Sequence, residues 1–193
     1  MLSLLRRRFG LHYYYLLVQP LAAAPQPAEP SGLACRILQE PDLLEHCADA
    51  ELDLREPAVR AALAAGDVCV GAFEGERLAG YLWYSFGRAA HVEGVRVEVG
   101  PRLRYAYKVH VRPGARGRGI ARALLLRGAQ LCPRRGRELG VSFVAPDNRP
   151  SLRAFAAAGW RRAGYAGYLR SLGLFSAFGS PAAIRLGARF ACA

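Results

Sequence analysis

Lysine is almost absent from this chain. Lys108 is the only one in 193 residues, although lysine and arginine together number 27 against 15 acids, for a formal net charge of +12. The basicity is therefore nearly all arginine, scattered along every segment in a background rich in Ala, Gly, Leu and Pro. A nucleic-acid binder gathers its charge into a stripe or face, so this scatter argues against nucleic acid as the main partner. Attraction of small anions is the simpler consequence. Cysteine is also sparse: Cys35, Cys47, Cys69, Cys132 and Cys192 are odd in number and contain no Cys-x-x-Cys pair. That spacing points to neither a disulfide framework nor a zinc site and fits a reducing compartment. His12, His46, His91 and His110 stand at no ligand spacing, so no metal is expected. No apolar run is long enough to span a bilayer as a helix, and no internal repeat is visible.

The hydrophobic content of 52% is enough for one well-filled domain with room for extensions. Residues 1–30 read as a basic and aromatic extension ending in a Pro-rich linker, Ala24-Pro25-Gln26-Pro27. The basic start followed by the apolar run 11–21 imitates a signal peptide, but Tyr13-Tyr14-Tyr15, Gln19 and Pro20 interrupt it. The expectation is that it packs on the domain or on a partner. Membrane-surface contact through Leu4, Leu5 and Arg6-Arg7-Arg8 is the weaker alternative.

The most informative stretch is Val109-His110-Val111-Arg112-Pro113-Gly114-Ala115-Arg116-Gly117-Arg118-Gly119-Ile120-Ala121. It runs an extended apolar segment into an Arg/Gly loop and on into a helix. A helix start presents unpaired N–H groups and the positive end of the macrodipole, and glycines let a ligand approach that backbone. The reading is a strand, a phosphate-gripping loop and a helix. A P-loop is excluded because no Lys follows the glycines, and the dinucleotide fingerprint fails because Arg122 stands where its third glycine belongs.

Arg116-x-x-Gly119-x-Ala121 resembles the pyrophosphate loop of the GNAT superfamily, the acyl-CoA-dependent N-acyltransferases. A second match follows a buried strand over 141–145: Asn148, Ser151, Phe155, Gly159 and Trp160 hold the family's spacing of Asn, small residue, aromatic, Gly and aromatic. An ordinary helix capped by Asn148 accounts for the same residues, and both readings hold together. The resemblance covers roughly residues 33–170. The predicted element order (strand 35–38, two helices, a hairpin around Glu74-Gly75-Glu76, strands 95–98 and 104–111, helix, strand, helix, strand) is also the family's. A further strand is expected over 183–190.

The resemblance implies an α/β fold with a mixed, mostly antiparallel central sheet, a splayed parallel strand pair and flanking helices. It implies an extension over 1–30, an acyltransferase domain over 31–170 and a tail over 171–193. It also implies acetyl-CoA or another acyl-CoA as co-substrate, an amine of a small molecule or peptide as acceptor, and a cytoplasmic location. The diphosphate falls to backbone N–H groups of Arg116, Gly117, Arg118, Gly119, Ile120 and Ala121. The pantetheine falls to the strand edge at Val109 and Val111 and to Asn148, with extra charge from Arg112 and Arg118.

Two positions depart from the family. Phe155 replaces the Tyr that commonly protonates the leaving thiolate, leaving Tyr165, Tyr168 or water. Tyr105 stands where a Glu base is common. Tyr107 shares its face, His110 faces the other way unless a bulge intervenes, and Glu93 and Glu98 lie in the preceding segment. Tyr105, Tyr107 and His110 are the catalytic candidates. The alternatives are a longer acyl donor, with the apolar extensions covering its tail, and a non-catalytic CoA-binding or interaction module, motivated by those two replacements.

Overall fold

The computed structural model describes residues 10–22, 32–92, 94–171 and 174–193. The Pro-rich linker, the basic cluster before it and Glu93 lie outside the described residues. Among the described residues there are eleven strands: β1 Leu11–Pro20, β2 Leu33–Leu38, β3 Val68–Glu74, β4 Arg77–Ser85, β5 Arg88–Val92, β6 Val95–Glu98, β7 Leu103–Val111, β8 Leu139–Val144, β9 Arg161–Ser171, β10 Leu174–Gly179 and β11 Arg189–Cys192. The helices are α1 Glu40–Glu45, α2 Glu56–Ala64, α3 Ile120–Leu131, α4 Arg149–Ala157 and α5 Pro181–Leu186, with short 3-10 turns between.

Eight strands form one sheet in the order β10-β9-β1-β8-β7-β4-β3-β2, and β11-β6-β5 form a second, antiparallel one. All pairs in the large sheet are antiparallel except β7 with β8. That parallel pairing lasts only from Leu103↔Leu139 to Tyr105↔Val141. Beyond it the two strands carry no ladder between them, and the splayed pair expected from the sequence is present.

Residues 11–20 do not lie on the domain surface; they are a central strand. β1 runs antiparallel to β8 from Tyr15↔Val144 to Pro20↔Leu139, and to β9 from Leu11↔Leu169 to Val18↔Arg161. Leu16, Leu17 and Val18 are buried on successive positions, as a strand covered on both faces requires. The stretch expected as a strand over 183–190 is instead α5 followed by β11. Ser180 caps α5 through its side chain, Pro181 takes the first turn and Gly187 closes it, so local capping outweighs the alternating apolar pattern.

α3 packs on the sheet through Ile120, Leu124, Leu125 and Leu126 in a core shared with Leu82, Tyr84, Val144 and Phe155. Its far end is fixed by Arg104 of β7, which is buried and donates to Cys132 O at 2.8 Å and Ala129 O at 3.3 Å. A cation at a helix C-terminus is favoured by the macrodipole, and here the guanidinium also lies 4.6 Å over the Tyr84 ring. That contact pins the helix to β7, so its N-terminus stays at the open end of the splayed strands.

Candidate active site

β7 leads straight into the site. Its register on β4 shifts between Tyr81↔His110 and Trp83↔Tyr107: β4 takes two steps where β7 takes three. The extra residue is a bulge, and Lys108 there has a positive φ of 50°. Lys108 is held by its Nζ, which donates to Asp53 O at 2.7 Å. The condition raised by the sequence, a bulge before His110, is met. It does not bring His110 into the cleft: the ring stacks on Tyr81 and its Nε2 lies 2.7 Å from Glu51 O.

After β7 a 3-10 turn over Pro113–Ala115 leads to Arg116, whose Nε donates to Val111 O at 3.2 Å. Gly117 and Gly119 both have φ of 80°, a conformation that strains any side chain, and a Cβ built on either would enter open space. Gly119 is the N-cap of α3 and has no side chain to bond the first turn, where buried Ile120 and then Ala121 follow. The loop therefore presents backbone N–H groups, the helix dipole and empty room together, the set that a diphosphate requires. Arg118 is paired with Glu74, its NH2 2.7 Å from Oε1, an exposed pair of little net worth that an incoming anion can exchange. Arg112 is committed elsewhere. It is buried and bonds Glu51 and Asp49, which holds the Asp49 carboxyl below its usual range. It locks the 3-10 turns onto β7 rather than offering charge to a phosphate.

Between the splayed strands lies a cavity of about 780 Å³ lined by Tyr105, Tyr107 and Val109 from β7, by Ser142, Phe143 and Val144 from β8, and by Asn148, Ser151 and Phe155. Its far end is walled by α2, by β5 through Ala89 and His91, and by Tyr14, Asp67 and Trp83. Six of the residues singled out from the sequence, Tyr105, Tyr107, Val109, Asn148, Ser151 and Phe155, meet here. Val111, opposite Gly80, carries the strand edge on to the loop. Asn148 Oδ1 caps α4 by accepting from Ser151 N at 3.2 Å, so its amide nitrogen is the group available to donate into the cleft. The Tyr105 and Tyr107 rings stack at 5.5 Å, and burial pushes both hydroxyls upward, away from service as bases. Tyr165 and Tyr168 do not line the cavity, and Glu98 is occupied by Arg96 and Arg189.

The sequence did not point to Asp67. It sits between α2 and β3, is 5% exposed, and its Oδ2 accepts from the Tyr107 hydroxyl at 2.6 Å. Its Oδ1 is buried without a hydrogen bond. Burial pushes the carboxyl up to about 6, with Tyr107, Ser85 and the Arg135 charge only partly opposing it. A raised folded pKa makes stability fall as pH rises from the unfolded value of 3.8 to about 6, and the penalty persists above that. Asp67→Asn is therefore expected to stabilise the fold by about 2–3 kcal/mol at neutral pH and by nothing below about pH 3.5. Urea titrations at both pH values check it, and equal midpoints at neutral pH would show a solvated carboxyl.

A splayed parallel pair, a glycine loop at an uncapped helix start and an Asn-capped helix line up around one cleft. The acetyltransferase (GNAT) family matches residues 34–160, and the chain belongs to that family. It is 34% identical over 91 residues to a mycothiol acetyltransferase of a Nocardioides species, a match covering 46% of this chain and 30% of that protein. A tandem GNAT protein from the clavulanic acid pathway superposes with a TM-score of 0.57 at 18% identity, covering 92% of this chain and 57% of that one. A GCN5-related N-acetyltransferase from Sphaerobacter thermophilus gives 0.55 at 18%, covering 85% and 53%. The chain thus spans under a third of that curated relative and little more than half of these two structures. Among the described residues no three His, Cys, Asp or Glu side chains group to hold a metal ion, and no helix is long and apolar enough to cross a membrane.

Proposed function

We propose that the chain transfers an acyl group, most simply acetyl, from acyl-CoA to a primary amine. The observation that carries this reading is the loop of Gly117 and Gly119, open at the α3 N-terminus and following β7, whose Tyr105, Tyr107 and Val109 line the cavity between β7 and β8. The residues fit the donor: N–H groups of Arg116–Ala121 for the diphosphate, the β7 edge at Val109 and Val111 for pantetheine amides in the manner of an added strand, and Asn148 Nδ2 as a further donor. Acyl-CoA supplies the activated thioester. The chain supplies the grip, the cleft that excludes water, and main-chain N–H at the bulge for the carbonyl oxygen.

The likeness to a mycothiol acetyltransferase supports acetyl as the group moved. The use of acyl-CoA supports work in the cytoplasm. Titration calorimetry with acetyl-CoA and octanoyl-CoA, followed by thiol release in a primary-amine screen, tests the reading. Micromolar acetyl-CoA binding with amine-dependent CoA release is expected. Preference for octanoyl-CoA would reassign the donor to a long-chain acyl group. Binding without release to any amine would leave a CoA-binding module.

A further inference from the structure

The described cleft holds two tyrosines where a base is wanted, and neither is a base on its own. What it also holds is a hydrogen bond from one of them to a buried carboxyl in the link between α2 and β3. Resting on the acyl-transfer reading above, we propose that Tyr107 and Asp67 form a proton relay: the Tyr107 hydroxyl takes the proton of the acceptor ammonium while passing its own across 2.6 Å to Asp67 Oδ2.

Exposure suggests the order. Both groups line the cavity: Tyr107 is half-buried, next to the Lys108 bulge, and Asp67 is only 5% exposed. The phenol is the more accessible of the two to a ligand. Its oxygen has lone pairs to accept a proton, and its own hydrogen already points at the carboxyl. Burial keeps the phenol from ionising by itself, so a proton moves through it only if the carboxylate beyond can receive one. The surroundings make the carboxylate able to receive it. Oδ1 is buried without a hydrogen bond, and burial outweighs the support that Tyr107, Ser85 and Arg135 give the charge. On β4, Ser85 beside the carboxyl helps to hold its charge, and its hydroxyl also lies 2.9 Å from Arg88 O. From the segment after α3 come the Cys132 thiol, itself pushed up to about 11, and Arg135, whose guanidinium donates to Gly66 O at 3.0 Å and attracts the charge weakly. Tyr105 stacks on Tyr107 from β7 itself. The outcome is a carboxyl near 6, ionised at neutral pH and still basic enough to matter.

The balance is simple. The ammonium gives one proton through Tyr107 to Asp67, which later returns it to solvent. The freed amine forms the N–C bond as the C–S bond breaks, the electron pair leaves on sulfur, and the second amine proton accompanies the thiolate as CoA–SH.

The test uses the full chain, ethanolamine, glycine and tyramine as probe amines, and hydroxylamine as a nucleophile with no charge to lose at neutral pH. Asp67→Asn and Tyr107→Phe should each lower kcat/KM for the alkyl amines by at least about 100-fold at pH 7. Hydroxylamine should be nearly spared and acetyl-CoA affinity unchanged. The rate limb near pH 6 should vanish in both variants, replaced by a rise that follows free amine. Independently of turnover, carbon-13 NMR of carboxyl-labelled aspartate should show one residue titrating near 6 in the parent. That resonance should be missing in Asp67→Asn and shifted upward in Tyr107→Phe. A parent that binds acetyl-CoA and acetylates none of the amines removes the acyl-transfer reading, and the relay with it. A parent that works while Asp67→Asn keeps its rate and its limb near pH 6 overturns the relay alone. So does equal loss for hydroxylamine and alkyl amines, or an Asp67 carboxyl titrating near 4.

Discussion

A chain that begins at Gly32 will fail to fold cooperatively. Such a truncation keeps the whole family-matched region, residues 34–160, and would be the natural choice for trimming an extension. It removes β1, and with it the buried side chains of Tyr14, Leu16, Leu17, Val18 and Leu21. Each large apolar side chain is worth about 1.5–3 kcal/mol on burial, so five together match the entire stability of an ordinary domain. The loss is also structural. β8 and β9 would each face a missing neighbour, leaving two unpaired edges in mid-sheet, and the Gln19 bond to Ala158 O at 2.6 Å would go too. Thermal melts followed by circular dichroism should show no sharp transition in the truncated chain. Leu16→Ala, at a position with no exposure, should cost about 2–5 kcal/mol in the full one. A sharp, native-like melt of the truncated chain would mean that β9 closes directly on β8 and that β1 is dispensable.

Gly119→Glu is expected to weaken acetyl-CoA binding by at least about 100-fold, about 3 kcal/mol, while leaving the fold intact. Two effects combine. The φ of 80° strains any side chain by about 1–3 kcal/mol, and the new carboxylate enters open space at a helix N-terminus. That end of the dipole favours an anion, so the variant supplies its own and repels the diphosphate. Gly119→Ala separates the two, since it carries the strain without the charge and should lose about tenfold or less. Calorimetry on both variants decides the matter. Equal, small losses would show that the diphosphate sits elsewhere.

Much of this site was legible because its signals are local. A strand running into Arg116-Gly117-Arg118-Gly119 and a helix, then Asn148 before a second helix, are statements about backbone shape made by short stretches of sequence. The splayed pair followed from the same motifs by resemblance. What stayed hidden depends on partners far apart in the chain. β1 is largely apolar rather than alternating because its centre is buried on both faces, and that pattern imitates a signal peptide or suits an extension packed on the domain. Nothing in residues 11–20 announces that β8 and β9 lie on either side. Asp67 follows a helix and opens a strand, an ordinary place for an aspartate, and only the tertiary fold dries it and sets Tyr107 against it. The α5 segment differs in kind: its helix signals, Ser180-Pro181 and Gly187, are local, but an alternating apolar pattern beside them points to a strand.

The strand order has a consequence for how the protein is made. Leu11 pairs with Leu169, so β1 is synthesised well over a hundred residues before β9, the strand that completes its outer ladder. Until then an apolar, aromatic segment rich in β-forming residues is exposed beside other nascent chains. Long-range closure of this kind is slow. Expression should therefore be sensitive to temperature and to holdase chaperones more than the stability of the finished fold would suggest.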